Sequence, residues 1–364
     1  MAKENKLSNK QIKALVVSTT VGIGILSLPN RLAIANGNDG WIPLILSGLL
    51  IIPIIMAMDK IFQMYPDQDF FSIGREVLGK WLFNIFLVIF FIYLLILMSN
   101  IVRNLGELIK AFLLVTTPIE VLIISFILVT SYMARDNIQV IGRAAHFIYP
   151  LILGFIIFLI VVTLPDIDFT NMLPVFQSDF SNIPKGMDIA FFSYIGYEVL
   201  LFAFPYAEKK ENTLRSSLKG LGVVILVYTI IYVLTMAQFG VYSLRRQSFP
   251  TLSIVREVDL PGYFVENLDG VVMAIWVLVI FTTMAPFYFA SGKVLSNLFN
   301  TKDHSLFILP IAPIIYIMSL IPRNLDHLNE TLGKYTNYLG LVTIVLMPII
   351  IYFVALFKTR RQSK

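Results

Sequence analysis

The stretch 14–29, ALVVSTTVGIGILSLP, decides the fold. It is apolar enough to cross a membrane, yet it sets Gly22 and Gly24 near its middle and Pro29 near its end. Glycine and proline are the weakest helix formers. Unwinding a helix in lipid leaves backbone groups unpaired at several kcal/mol each, which is tolerated only where protein, water or a ligand satisfies them. Residues 11–21 precede the glycine pair and 25–34 follow it, so each half is about 15 Å long at 1.5 Å per residue, roughly half the hydrocarbon core. The glycines therefore fall near the bilayer midplane, and a break there is expected to bind something.

The surrounding composition places the chain in a membrane. Of 364 residues, 57% are hydrophobic and 14% charged, and mean hydropathy is +0.79. These values lie outside the range of soluble globular domains. A requirement of about 17 to 25 mostly apolar residues per span predicts ten spans, at about 11–34, 41–62, 81–101, 118–134, 142–163, 183–205, 217–239, 269–292, 305–321 and 336–357. The expected domain is a single polytopic one over residues 1–364. Lys3, Lys6, Lys10 and Lys13 followed by an apolar run ending in LAIANG look like a signal peptide, but the run 14–35 exceeds a signal core of about 7 to 15 residues. It is read as a retained span. With the termini taken as inside, the inner connectors and tails carry 19 Lys and Arg and the outer ones 9. The positive-inside rule then puts both termini in the cytoplasm.

The absence of cysteine excludes disulfides, thiolate metal sites and a cysteine nucleophile, and His146, His304 and His327 match no metal-ligand spacing. An enzyme is not expected, nor are a cofactor, a metal or a nucleic-acid partner. His146 reads as structural.

A second interruption follows five spans later. In KGMDIAFFSYIGYEVLLFAFP, the segment from Ser193 through Tyr194 to Gly196 divides span 6 near its centre. Matched interruptions in two five-helix halves that enter the membrane from opposite sides are the signature of a 5+5 inverted repeat with discontinuous helices 1 and 6. The half-helix beginning at Gly24 would present free amides and a positive dipole end to a carboxylate. The half-helix ending at Phe192 and Ser193 would present carbonyls to an ammonium. Together they suit a zwitterionic amino acid. The competing explanation is that Gly22 and Gly24 only let a neighbouring helix pack closely.

Other polar residues extend this site. Glu198 follows the second break and either caps the next half-helix or handles ligand or protons. Thr282 and Thr283, just past the centre of span 8, can coordinate a cation or bond their own helix backbone. Tyr93 and Tyr288 either line the pocket or pack. The connectors YPDQDFFSIGREVLGKW and VRNLGELIKAFLL have the spacing of helices lying at the interface, or of extensions of adjacent spans. The outer connector 241–270, with its helix-like TLSIVREV, reads as a cover over an entrance or as a linker.

The wording of the chain resembles the B subunits of bacterial endospore germinant receptors, the spore germination permease family within the amino acid, polyamine and organocation transporter superfamily. The resemblance rests on the order of ILSLPN, DGWIPLILSG, YPDQDFFSIGREVLGKW, RNLGELIKAFLLVTTP, VIGRAAHFIYP, NMLPVF and FPTLSIVREVDLPGYFVENLDGVVMAIWV. It departs at FFSYIGYE, where a stretch richer in proline and phenylalanine is expected. The resemblance implies a subunit of the spore inner membrane that senses a small germinant, commonly an amino acid, with A-type and lipoprotein C-type subunits as partners. Carried over by position, Gly22, Ile23 and Gly24 would hold the germinant carboxylate, and Phe192 through Gly196 its amino group. The competing function is a proton- or cation-coupled amino acid permease. A germinant-opened ion channel is a third, for which the spans show no continuous row of polar residues.

Overall fold

The structure, a computed structural model, describes residues 6–22, 24–165, 167–176, 179–257 and 268–362. Among these residues its regular secondary structure is helical apart from one isolated bridge, and it is that of a multi-pass membrane protein. Six helices are long and apolar enough to cross a membrane, and two bent pairs bring the number to eight. The bent pairs are the interrupted segments: α1 (Asn9–Thr20) with α2 (Gly24–Asn36), and α8 (Ile183–Ser193) with the short helical stretch around α9 (Leu200–Ala203). The first turns by 54° and the second by 45°.

The long spans are α3 (Trp41–Met64), α5 (Lys80–Phe112), α7 (Ile138–Thr163), α10 (Thr213–Leu244), α12 (Leu268–Leu298) and the run Leu325–Thr359. That last run comprises α14 (Leu325–Leu328), α15 (Lys334–Gly340) and α16 (Met347–Gln362), joined by π-helical turns at Asn329–Gly333 and Leu341–Leu346. Two further apolar helices, α6 (Ile119–Ala134) and α13 (Ser305–Leu320), have 16 residues each. They occupy the positions of the fourth and ninth expected spans.

The connector YPDQDFFSIGREVLGKW forms a separate amphipathic helix, α4 (Phe70–Leu78). The second such connector does not: VRNLGELIKAFLL continues α5 to Phe112 without a break. Arg103 explains this difference, because its charge is met inside the bundle. The guanidinium lies 2.8 Å from Glu107 one turn on and donates to the carbonyls of Ser319 and Arg323, at 3.4 and 3.5 Å. Nothing then draws this turn to the membrane surface.

α1 is the central strut. A capping box starts it, with the Ser8 side chain accepting from the Gln11 amide and Gln11 Oε1 accepting from the Ser8 amide. Residues 14–20 are all buried, against α7, α10 and α12. Below the capping box, Leu7 bridges to the end of the sixth span: its amide donates to Tyr206 O at 2.7 Å and its carbonyl accepts from the Glu208 amide at 2.8 Å. The start of the first broken span is thereby pinned to the end of the second.

Pro29 sits inside α2 and has no amide to offer the carbonyl of Ile25, four residues back. Thr251 fills that gap, its hydroxyl donating to Ile25 O at 3.1 Å from α11 (Pro250–Glu257). The helical piece of the outer connector is thus fastened over the second half of span 1. Residues 258–267 of that connector lie outside the described residues. Replacing Thr251 by valine removes the donor and strands a buried carbonyl, a loss of about 1–3 kcal/mol. The thermal midpoint of the purified protein should fall for Thr251→Val and stay close to wild type for Thr251→Ser.

Candidate functional site

The two breaks touch. Gly196 has φ +135°, a conformation open to glycine, and a Cβ there would stand 2.7 Å from the carbonyl carbon and oxygen of Thr19 and 2.8 Å from the Thr20 nitrogen. Backbone meets backbone at this point, so no side chain can yield. Tyr228 of α10 ties the same junction: its buried hydroxyl lies 2.7 Å from Thr20 O and 2.9 Å from Ser193 O. One proton serves two carbonyls, one from each break. Thr283 adds a third tie, its hydroxyl donating to Ser18 O at 2.8 Å or to Val279 O at 3.1 Å. A Cβ on Gly22 would approach Thr283 to 2.8 Å, whereas one on Gly24 would meet Ser193 at an ordinary 3.6 Å.

Above this junction lies a cavity of about 400 Å³. Its floor and lower wall include Gly22, Gly24, Phe192, Ser193, Ile195 and Thr283. Thr20 lines it from the junction itself, and higher up come Ser27 and Arg31 from the first span, Asn100 and Asn104 from α5, and Asn329, Glu330, Lys334 and Asn337 from the last span. These upper residues lie toward the face opposite the chain termini, and the cavity opens that way. The lining offers cations, an anion, amides and apolar surface together. Thr20 Oγ1 is buried, belongs to the cavity wall and has no hydrogen-bond partner among the described residues. A buried hydroxyl left this way is an available contact for a ligand.

Toward the other face the path is filled by aromatic rings. Phe202 packs against Phe70, Phe71 and Phe90 with centroids 5.8 to 6.0 Å apart, and Phe90 stacks on Tyr93 at 6.0 Å. α4 supplies two of these rings, which gives the inner amphipathic helix a sealing position beneath the site.

Glu198, Tyr93, Tyr194, Thr282 and Tyr288 do not line the cavity. Glu198 is buried below the junction, where Oε1 accepts from the Tyr93 hydroxyl at 2.8 Å and Oε2 from the Gly196 amide at 2.7 Å. That is the geometry of a carboxylate capping the start of the next half-helix. Tyr194 is buried, with its hydroxyl donating to Leu44 O at 3.1 Å. Thr282 donates to Val279 O at 2.9 Å, within its own helix, and Tyr288 to Ile308 O at 2.9 Å. Ile23 lies outside the described residues. His146 is exposed on α7, near Arg143. Among the described residues no group of histidines and carboxylates could hold a metal.

Sequence reasoning did not single out Thr20, Arg31, Asn100, Asn104 or the polar residues of 329–337. Asn100 and Asn104 carried a usable signal, since two amides four residues apart share one face of an otherwise apolar helix. Asn329, Gly333 and Asn337 repeat that spacing at the start of the last span.

Residues 6–328 match the profile of a family described as spore germination protein. The chain belongs to that family. Among its relatives, spore germination protein A2 of Bacillus subtilis (strain 168) is 30% identical over 363 residues, covering 99% of this chain and 98% of that protein. Spore germination protein GerLB of Bacillus cereus is 27% identical, covering 99% and 96%. In three dimensions the chain is similar to MhsT in complex with L-phenylalanine, with a TM-score of 0.72 at 14% identity, covering 94% of this chain and 87% of that one. It is also similar to Mhp1, a nucleobase-cation-symport-1 family transporter, with a TM-score of 0.70 at 12% identity and coverage of 96% and 78%. At such identities the likeness is one of fold, and the fold is that of transporters.

Two glycine substitutions separate the roles of the breaks. Gly196→Ala should disrupt the junction, either preventing accumulation in the membrane or lowering the thermal midpoint by many degrees. Gly24→Ala, which meets only ordinary contacts, should accumulate and melt like wild type.

Proposed function

We propose that this protein is the membrane subunit of a spore germinant receptor that binds a small germinant, an amino acid, in the cavity where the broken helices meet. The observation that carries this reading is the cavity itself: it sits on two interrupted helices and has an unpartnered hydroxyl in its wall and both signs of charge in its lining. In this reading the amide end of α2, with Gly22, Ile23 and Gly24, takes the carboxylate. Phe192, Ser193 and the carbonyls at the end of α8 take the ammonium, with Thr20 and Thr283 alongside. Glu198 and Tyr93 hold the break in shape from below. The volume lies within the common range for small-molecule sites. Membership of the spore germination family and a fold neighbour named for its complex with L-phenylalanine support the assignment.

The ten apolar segments form a single polytopic domain, two inverted sets of five, with both termini on the cytoplasmic side of the spore inner membrane. The germinant enters from the opposite face, toward which the cavity opens. Binding favours one arrangement of the helices by its differential affinity for the two states, and A-type and lipoprotein C-type receptor subunits read the change.

A second reading is a cation-coupled amino acid permease. One contact favours it: Thr283 faces the carbonyl of Ser18 at the first break, an oxygen pair suited to a cation. Uptake of labelled amino acid into liposomes holding the purified protein separates the two, since a receptor subunit binds without accumulating solute.

Deletion of the gene should abolish germination toward one amino acid of a panel, scored by loss of refractility, and the intact gene should restore it. Complementation with Gly24→Val, whose extra methyls press on Ser193, should fail although the protein reaches the membrane. A normal response would remove the cavity from consideration. Glu198→Gln keeps the shape and one of the two acceptors, enough to hold the Gly196 amide while its NH2 turns to the Tyr93 oxygen, so most activity is expected to survive if Glu198 is a cap, and complete loss would assign it a titrating role.

A further inference from the structure

The cavity has a neighbour on the membrane side. Between α3, α8 and the last helical run lies a groove of about 690 Å³, lined almost wholly by apolar side chains such as Leu50, Leu341 and Val345. Phe192 lines both the groove and the ligand cavity, so one ring forms the partition between them. The last run is π-helical at Leu341–Leu346 along this wall. Its Ile344 carbonyl accepts from the Tyr197 hydroxyl at 3.1 Å, which links the groove wall directly to the second break. π-helical turns are frequent at functional sites.

One residue is out of place in a surface meant only for lipid. Asp188 lines the groove, is exposed, and makes no hydrogen bond or ion pair among the described residues. It lies five residues along α8 from the outer end, about 7.5 Å at 1.5 Å per residue, roughly halfway from that end to the break. Arg31, across the partition, acts on it electrostatically but forms no ion pair with it. An aspartate is too short to reach the headgroups from such a depth, and a carboxylate facing hydrocarbon is costly unless paired. A lipid chain would fill the apolar walls and leave that cost unmet. A helix with a basic side chain satisfies both.

We propose that this groove seats a transmembrane helix of a partner protein, with a lysine or arginine of that helix paired to Asp188. The inference rests on the reading of this chain as a receptor subunit and names the surface through which it signals. A ligand that displaces Phe192, or draws Arg31 away from Asp188, changes the shape and charge that the partner helix meets. The ligand site and the docking site are thus coupled through two side chains.

The test uses the full chain in sporulating cells, with a photo-crosslinking residue placed at Leu341 and, separately, at Leu50. The expected adduct is to one membrane protein, mapped by mass spectrometry to an apolar segment that contains a lysine or arginine. Asp188→Asn should lower its yield at least tenfold, and Asp188→Glu should retain it. Asp188→Lys combined with Asp at the mapped basic residue should restore it. Adducts confined to lipid, adducts to a second copy of this chain, or a partner adduct insensitive to Asp188→Asn would each overturn the proposal. Amino acid binding by purified Asp188→Asn, measured separately, shows that the variant is folded. It also keeps the two readings apart: an Asp188-dependent adduct without ligand binding would sink the receptor site alone, and ligand binding without that adduct would sink the groove.

Discussion

The contact between the two helix breaks governs the rest of this structure. Gly196 lies against the backbone of Thr19 and Thr20, closer than any side chain would permit, and the Tyr228 hydroxyl bridges the carbonyls that both breaks release. In a medium without water to accept or donate, an interrupted helix survives only if its loose backbone groups find partners. Here each break supplies part of what the other lacks, and α10 and α12 supply the remainder through Tyr228 and Thr283. Gly22, Gly24 and Ser193 of the two breaks line the cavity.

This arrangement also explains why the site has a closed and an open side. Below the junction, Glu198 is consumed by Tyr93 and Gly196, and an aromatic column from α4, α5 and the second half of span 6 occupies the path. Above it, Arg31, Asn100, Asn104, Glu330 and Lys334 leave a polar mouth. A receptor and a transporter both need such asymmetry. They differ in whether the aromatic column ever parts, which is a question of the relative stability of two arrangements.

Much of the fold was legible because the membrane makes the rules simple. A span must be long and apolar, so the six long helices and the two bent pairs coincide with eight of the expected segments, and α6 and α13 mark the other two positions. The continuation of α5 through residues 103–112 was harder to read. The sequence pattern there suits an interfacial helix as well as an extension, and only the carbonyls of Ser319 and Arg323, more than 200 residues away in the chain, decide in favour of the extension.

The sequence by itself determined that this is a multi-pass membrane protein, where its two broken spans lie and which family it resembles. Those features are local: hydrophobic length, the helix-breaking residues Gly22, Gly24 and Gly196, and the order of short motifs. The tertiary structure decided which polar residues share a cavity. Thr20 and Arg31 meet Asn100, Asn104 and Glu330 only because the end of α1, α2, α5 and the start of the last span converge on the cavity. It likewise placed Glu198 and Tyr93 beneath the cavity rather than on its wall, since a buried carboxylate takes the donors packed beside it, and no spacing along one helix names those donors.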